Sequence, residues 1–163
     1  MTERKILDLP NLLRLVAEHR ARKEKIVLTN GCFDVLHVGH VRYLQGAKAL
    51  GDVLIVAVNS DASMRGIKDR GRPLMPENAR ARLVAALGCV DYVTVFDDAT
   101  VAPLLNVLHP DIHAKGTDYS LETVPEREVV RAYGGEVAIV GDPKDHSTHD
   151  LIRRVLEKCG KRD

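Results

Sequence analysis

In the stretch TNGCFDVLHVGH, Thr29 to His40, His37 and His40 lie three residues apart with Gly39 between them. Three chemistries use such a pair. Imidazole N–H groups can donate to phosphate oxygens, and donors fixed where negative charge develops stabilise the transfer of a phosphoryl or nucleotidyl group. Gly39 suits that reading, because a side chain there would fill the space through which phosphate approaches the backbone. Imidazoles also ligate metals, but zinc needs a third protein ligand. The remaining histidines, His19, His109, His113, His146 and His149, have no carboxylate or thiolate at a supporting spacing. The third reading is a helix cap with a satisfied buried imidazole, which a short HxGH string matches often by chance.

The elements around the pair bear on the choice. Short β-branched runs, KIVLTN (25–30), DVLIVAVN (52–59), YVTVF (92–96), DIHAK (111–115) and EVAIV (136–140), alternate with stretches of helical apolar spacing. This alternation predicts an α/β fold of the Rossmann-like, doubly wound kind, a five-stranded parallel sheet with helices on both faces. Helix ends are legible too. The helix after VGH closes at Gly51, where glycine can take the left-handed conformation. MPENARARLVAALG places Pro76 early and Gly88 late, and VPEREVVRAYGG repeats the device with Pro125 and Gly134. The last helix starts at STHDLIRRV, with Ser147 as N-cap and Asp150 three residues on. PNLLRLVAEHRAR is amphipathic and is expected to pack outside the sheet.

Ligands of such sheets bind beyond the carboxyl ends of the strands. The site is therefore expected in loops 31–40, 59–72, 115–119 and 141–148. Two of these end at helix starts, one with His37, Gly39 and His40, the other with Ser147 and Thr148. Helix N-termini seat anions, so two of them facing one cleft predict a polyphosphate. Asp34 has three candidate roles: orienting an acceptor, touching a magnesium-bound water, or hydrogen-bonding within its turn. Arg80 either reaches an acceptor phosphate through a bidentate fork or covers helix surface. Asn59 and Asp61, ending a strand, are candidates for sugar hydroxyls. Lys115 and Gly116, ending another, are expected beside the ribose or nucleobase.

In its strand, its G-[TC]-F-D and its HxGH, the chain resembles the cytidylyltransferase-like nucleotidyltransferases through Gly31, Cys32, Phe33, Asp34, His37, Gly39 and His40. The resemblance implies that His37 and His40 contact the nucleotide phosphates and stabilise the transition state, while the Cys32 and Phe33 backbone lines the nucleotide pocket. HSTHDLI is similar to the family's I-S-[ST]-[ST] segment and carries over Ser147 and Thr148 as phosphate ligands; His149 departs from the usual hydroxyl residue, and His146 from an apolar or small one. Lys68, in RGIKDRGRP, is implied as a phosphate-binding lysine on a mobile segment that closes with substrate. Within the family, TNGCFD, VNSDAS, Arg72-Pro73, KGTDY and GGEV are most similar to the heptose 1-phosphate adenylyltransferases, with Thr117 where a second glycine is usual. These enzymes are often fused behind a sugar kinase, and the chain is expected to be the stand-alone form.

The resemblance thus implies transfer of AMP from ATP to D-glycero-D-manno-heptose 1-phosphate, giving ADP-heptose for a surface glycan. Alternatives are a cytidylyltransferase acting on glycerol 3-phosphate or a similar alcohol phosphate, an FMN adenylyltransferase, and a nucleotide-binding regulator without turnover. Magnesium is expected to travel with the triphosphate, with no direct protein ligands.

The bulk properties agree with a small-molecule partner. The 24 Lys and Arg nearly cancel the 23 Asp and Glu, so no one-signed surface points to nucleic acid or membrane. The N-terminus lacks a signal-peptide core and no segment reaches the ~18 apolar residues of a membrane span, which predicts a cytoplasmic protein. Cys32, Cys89 and Cys159 are too few and too scattered for a disulfide framework. The 163 residues are expected to form one nucleotidyltransferase domain, with residues 1–24 as a helical extension. A homodimer is the expected assembly, that being the commonest.

Overall fold

Each of the five β-branched runs forms a strand: β1 (Ile26–Gly31), β2 (Val53–Asn59), β3 (Tyr92–Phe96), β4 (Ile112–Gly116) and β5 (Glu136–Val140). All are parallel, in the order β3-β2-β1-β4-β5. The chain winds outward from β1 to one edge, then crosses back to β4 and on to the other edge. The direction of winding therefore reverses between β1 and β4, and the loops that follow these two strands part to leave a crevice. The computed structural model describes residues 2–68, 71–143 and 147–160. His146, and the parts of loops 59–72 and 141–148 at 69–70 and 144–146, lie outside the described residues.

The helices are α1 (Leu9–Ala21), α2 (Val38–Lys48), α3 (Asp61–Ile67), α4 (Glu77–Ala85), α5 (Ala102–Leu108), α6 (Arg127–Ala132) and α7 (Thr148–Cys159). Successive side chains of a strand point to opposite faces. Thus Leu54, Val56 and Val58 of β2 pack with Leu44 and Ala47 of α2 and with Ala81 and Val84 of α4. Their neighbours Ile55 and Ala57 pack with Leu12 and Val16 of α1 and with Leu104, Leu105 and Leu108 of α5. Two apolar layers explain why the strands read as unbroken apolar runs. Each buried aliphatic side chain contributes about 1.5–3 kcal/mol to holding the layers together.

Two helices escape the sequence reading. α3 occupies half of the loop expected at 59–72, started by Ser60, whose hydroxyl accepts from Ser63 N at 3.0 Å. α5 is seven residues long, too short to show a period, and is ended by His109 in the left-handed region at φ 45°. The expectation for Gly51 is also corrected. The left-handed turn is found at Gly134 (φ 85°) and not at Gly51. Glycine stands at 51 because a Cβ there would lie 2.7 Å from Lys25 O, at the entrance to β1. Among the described residues no helix is long and apolar enough to cross a membrane.

Candidate functional site

The loop after β1 is shaped before any ligand enters. Phe33 is 3% exposed and takes φ 49°, a conformation that a bulky residue adopts only when its surroundings impose it. Its ring lies against Gly31, where a Cβ would approach Phe33 Cε2 to 2.9 Å. Glycine at 31 therefore lets the aromatic ring fold back under the loop and turn the chain toward α2.

His37 is the N-cap of α2: its Nδ1 accepts from Gly39 N at 3.1 Å, while His40 Nδ1 accepts from His37 N at 3.3 Å. The two bonds form a reciprocal capping box, with histidines in place of the usual hydroxyl and carboxylate. The rings stack at 3.9 Å between centroids, and His40 meets Phe33 edge-on at 5.3 Å. Because each Nδ1 is an acceptor, the proton of each neutral ring resides on Nε2, an assignment made from the hydrogen-bond pattern. Both residues also line the cleft, so capping α2 does not remove them from it.

Burial, and secondarily the neighbouring His37, lowers the His40 pKa from 6.5 to about 4. The ring is neutral at physiological pH. An unfolded chain binds a proton at this position below its ordinary pKa, whereas the folded one resists until about pH 4. Its contribution to stability is thus complete above pH 6.5 and is lost as pH falls toward 4. His113, whose pKa burial also lowers, acts in the same direction. The melting temperature is expected to fall between pH 7 and pH 5, and thermal melts of His40→Gln should show a smaller fall. A pH slope equal to that of the parent protein would mean that His40 titrates normally in the folded state.

Around the capping box the ends of all five strands enclose a cleft of about 540 Å³, within the range of small-molecule sites. Gly31, Cys32, Phe33, Asp34, His37, Gly39 and His40 line it from β1 and α2; Lys115 and Gly116 from β4; Ser147 and Thr148 from the start of α7; Asn59, Lys68 and Arg72 from the β2 side. Ser147 is the N-cap of α7, its hydroxyl accepting from Asp150 N at 3.1 Å. Two helix N-termini thus open on one cleft. Lys68 caps the C-terminus of α3, at the edge of the undescribed residues 69–70. Burial raises the Cys32 thiol pKa above its ordinary value, so it is not poised as a nucleophile.

Three residues expected at the acceptor are engaged elsewhere. Arg80 is fully buried and absent from the cleft lining: its guanidinium donates to Met75 O (3.0 Å), Cys32 O (2.6 Å), Asn59 O (2.7 Å) and Asp61 Oδ1 (2.7 Å). It neither reaches an acceptor phosphate nor covers surface. Asp61 likewise is outside the lining and serves as the partner of Arg80. Asp34 borders the cleft, but its carboxylate accepts from Leu74 N (2.8 Å) and Met75 N (3.0 Å) and pairs with Arg72 Nε (2.6 Å). Of the three roles considered for it, hydrogen bonding wins, and the bonds reach across to segment 72–75. Arg80 and Asp34 together tie the loop after β1, the end of β2 and the chain after Lys68 into one frame. Asn59 is 4% exposed, its amide donating to Ser63 Oγ at 3.0 Å.

Sequence reasoning missed several lining residues. Tyr43 faces the cleft, its hydroxyl bonded to Thr29 and to Ala114 O. Arg42 lines it too and pairs with Asp142 at 3.3 Å. Both follow Gly39 by three or four residues, so helical spacing from the HxGH string could have found them. Thr100 and Val101, after β3, and Glu126, before α6, are brought in by topology alone and carry no sequence signal.

A family model described as cytidylyltransferase-like matches residues 28–154. The chain is similar to the bifunctional protein HldE of Citrifermentans bemidjiense, 48% identical over 95% of this chain and 32% of that protein. It is 45% identical to the bifunctional protein HldE of Geobacter sulfurreducens, over 96% and 32% respectively. It therefore spans about a third of the length of the curated relatives it matches. Among solved structures, a lipopolysaccharide core biosynthesis protein from Thermoplasma volcanium superposes with TM-score 0.64 at 28% identity, covering 74% of this chain and 99% of the other. Pantothenate synthetase from Thermus thermophilus shares the fold, with TM-score 0.57 at 20% identity over 88% of this chain and 63% of that one.

Proposed function

We propose that this chain, which belongs to the cytidylyltransferase-like family, transfers AMP from ATP to a sugar 1-phosphate, releasing pyrophosphate and forming an ADP-sugar. One observation carries the reading: the capping box turns Nδ1 of both His37 and His40 to backbone and places a proton on each Nε2, at a helix N-terminus in a cleft that a second helix N-terminus also lines. An oxygen of the acceptor phosphate attacks the α-phosphorus in line. A new P–O bond forms as the bond from the α-phosphorus to the bridging oxygen breaks, and its electron pair leaves with pyrophosphate. The attacking phosphate is already an anion, so no enzyme nucleophile is required. The protein's part is positioning and charge stabilisation. His37 and His40 donate to the phosphate oxygens, Ser147 and Thr148 hold the triphosphate at α7, and Lys68 closes on it. Gly31 and the Cys32 and Phe33 backbone border the nucleotide, Lys115 and Gly116 its nucleoside, and Asn59 and Arg72 the acceptor.

Heptose 1-phosphate is the acceptor in this reading. It is supported by the strings from TNGCFD to GGEV and by similarity to a protein named for lipopolysaccharide core biosynthesis. Magnesium enters as part of the substrate, bound to the triphosphate. Among the described residues no group of three or more His, Cys, Asp or Glu side chains could hold a metal ion, and Asp34 is spent on Arg72, Leu74 and Met75. A cytoplasmic homodimer completes the proposal.

The test is a matrix of nucleotides against acceptors, read as pyrophosphate release. ATP with heptose 1-phosphate is expected to exceed CTP with any sugar or alcohol phosphate by about tenfold or more. Equal turnover of CTP and ATP across the panel removes the adenylyl assignment and leaves the family intact.

A further inference from the structure

Three side chains of the cleft lining have no part in the phosphate chemistry above: Arg42, Thr117 and Asp142. The chain leaves β5 through Gly141 at φ 99°, a conformation open to glycine. There it packs on α2, where a Cβ at Gly46 would lie 3.4 Å from Val140 Cβ. The next residue, Asp142, is held twice. Its carboxylate lies 3.3 Å from Arg42 Nη1, on α2 two positions beyond His40. Its carbonyl accepts from Thr117 Oγ1 at 2.8 Å, just after β4.

An acidic residue is out of place here. The groups suited to a triphosphate, His37, His40 and the start of α7, line the same cleft, and a carboxylate among them repels an anion. Nor does the ion pair hold the fold together: its side chains are 44% and 60% exposed, and pairs so open to water contribute little stability. What the pair does is join the two anion seats. Arg42 belongs to the helix that His37 and His40 cap, and Asp142 stands five positions before Ser147, the N-cap of α7. Thr117 braces the backbone of the same residue from the loop after β4.

We propose that Asp142 is a positioning residue: clasped by Arg42 and Thr117, it sets the spacing between the starts of α2 and α7, so that both helix N-termini meet one triphosphate. Arg42 also neutralises the carboxylate that the clasp requires. A loop already in place spares the ligand the cost of ordering it, which otherwise subtracts from affinity. This rests on the nucleotide-transfer reading.

The clasp reverses the sign that charge alone predicts. Taking an acid out of an anion site should tighten anion binding. Asp142→Ala is instead expected to weaken both inorganic tripolyphosphate and ATP, titrated by calorimetry with magnesium present, by roughly fivefold. Arg42→Met leaves the carboxylate charged and unclasped, and is expected to cost roughly tenfold or more. Made in the Asp142→Ala background, it is expected to cost no more than about twofold, because the two residues act as a unit. Thr117→Val is expected to weaken both ligands about threefold, and Thr117→Ser to restore them. Melting temperatures are expected to change little throughout. Tighter or unchanged binding in Asp142→Ala overturns the proposal, as does an unchanged affinity in Thr117→Val. An Arg42→Met loss undiminished in the Asp142→Ala background makes Arg42 itself a phosphate ligand and overturns it equally, and so do losses that track a general fall in melting temperature. Wild-type protein that binds neither ATP nor tripolyphosphate removes the nucleotide-transfer reading and this inference together; wild-type binding with unaffected or tighter variants removes this inference alone.

Discussion

Replacing His37 by alanine is expected to slow pyrophosphate release from ATP and heptose 1-phosphate by roughly a hundredfold or more, the usual consequence of removing one fixed donor from a developing anion. The same change deletes the N-cap of α2, which costs about 1 kcal/mol of stability. The two effects can be separated, because asparagine is among the best N-cap residues but is too short to bring a donor where Nε2 of the imidazole stands. His37→Asn is therefore expected to recover most of the melting temperature and little of the turnover. If His37→Ala leaves turnover undiminished, the donor role is wrong. If His37→Asn restores rate along with stability, His37 serves the site only by capping.

The largest loss of stability is expected from Arg80→Met. Its guanidinium is fully buried and satisfies the carbonyls of Cys32, Asn59 and Met75 together with the Asp61 carboxylate. Methionine fills much of the volume but leaves those acceptors bare, and stripping one partner from a buried ion pair typically costs about 3–5 kcal/mol. Denaturant titration is expected to show a loss of that order. Lysine should recover little, since a point charge cannot span carbonyls that a planar fork reaches at once. Had Arg80 been an acceptor ligand, the opposite pattern would follow, a raised KM with unchanged stability. A loss below about 1 kcal/mol would show that the frame around the loop after β1 does not depend on it.

Arg80 also marks where sequence reasoning stops. On helical spacing it could be placed on α4, and from its chemistry it could be an anion ligand or a surface residue. Neither reading held, because the choice depends on which backbone carbonyls the β1 and β2 loops happen to bring within reach of that helix. Asp34 is similar. Its place in the G-C-F-D string is visible, but its partners Leu74 and Met75 lie some forty positions away along the chain.

The two readings of the HxGH pair illustrate the reverse case. From spacing alone a helix cap and a phosphate site compete, yet the cap takes only the Nδ1 edge of each ring, and both residues also line the cleft. Capping is therefore compatible with a role in the cleft.

What the sequence by itself determined is the set of features that short-range physics writes locally. Strands buried on both faces must be apolar throughout, which made all five visible. Helix starts need capping groups within three residues, which exposed His37 and Ser147. A parallel sheet must place its site at the carboxyl ends, which located the loops. What only the tertiary structure decided is how distant side chains pair. The bonds of Arg80 to Cys32 and Asn59, the tether from Asp34 to segment 72–75, and the seating of Glu126 beside Lys115 each join residues more than ten positions apart, in two cases forty or more. Such pairings depend on the strand order and on the path of each loop, and no local preference of the chain encodes them.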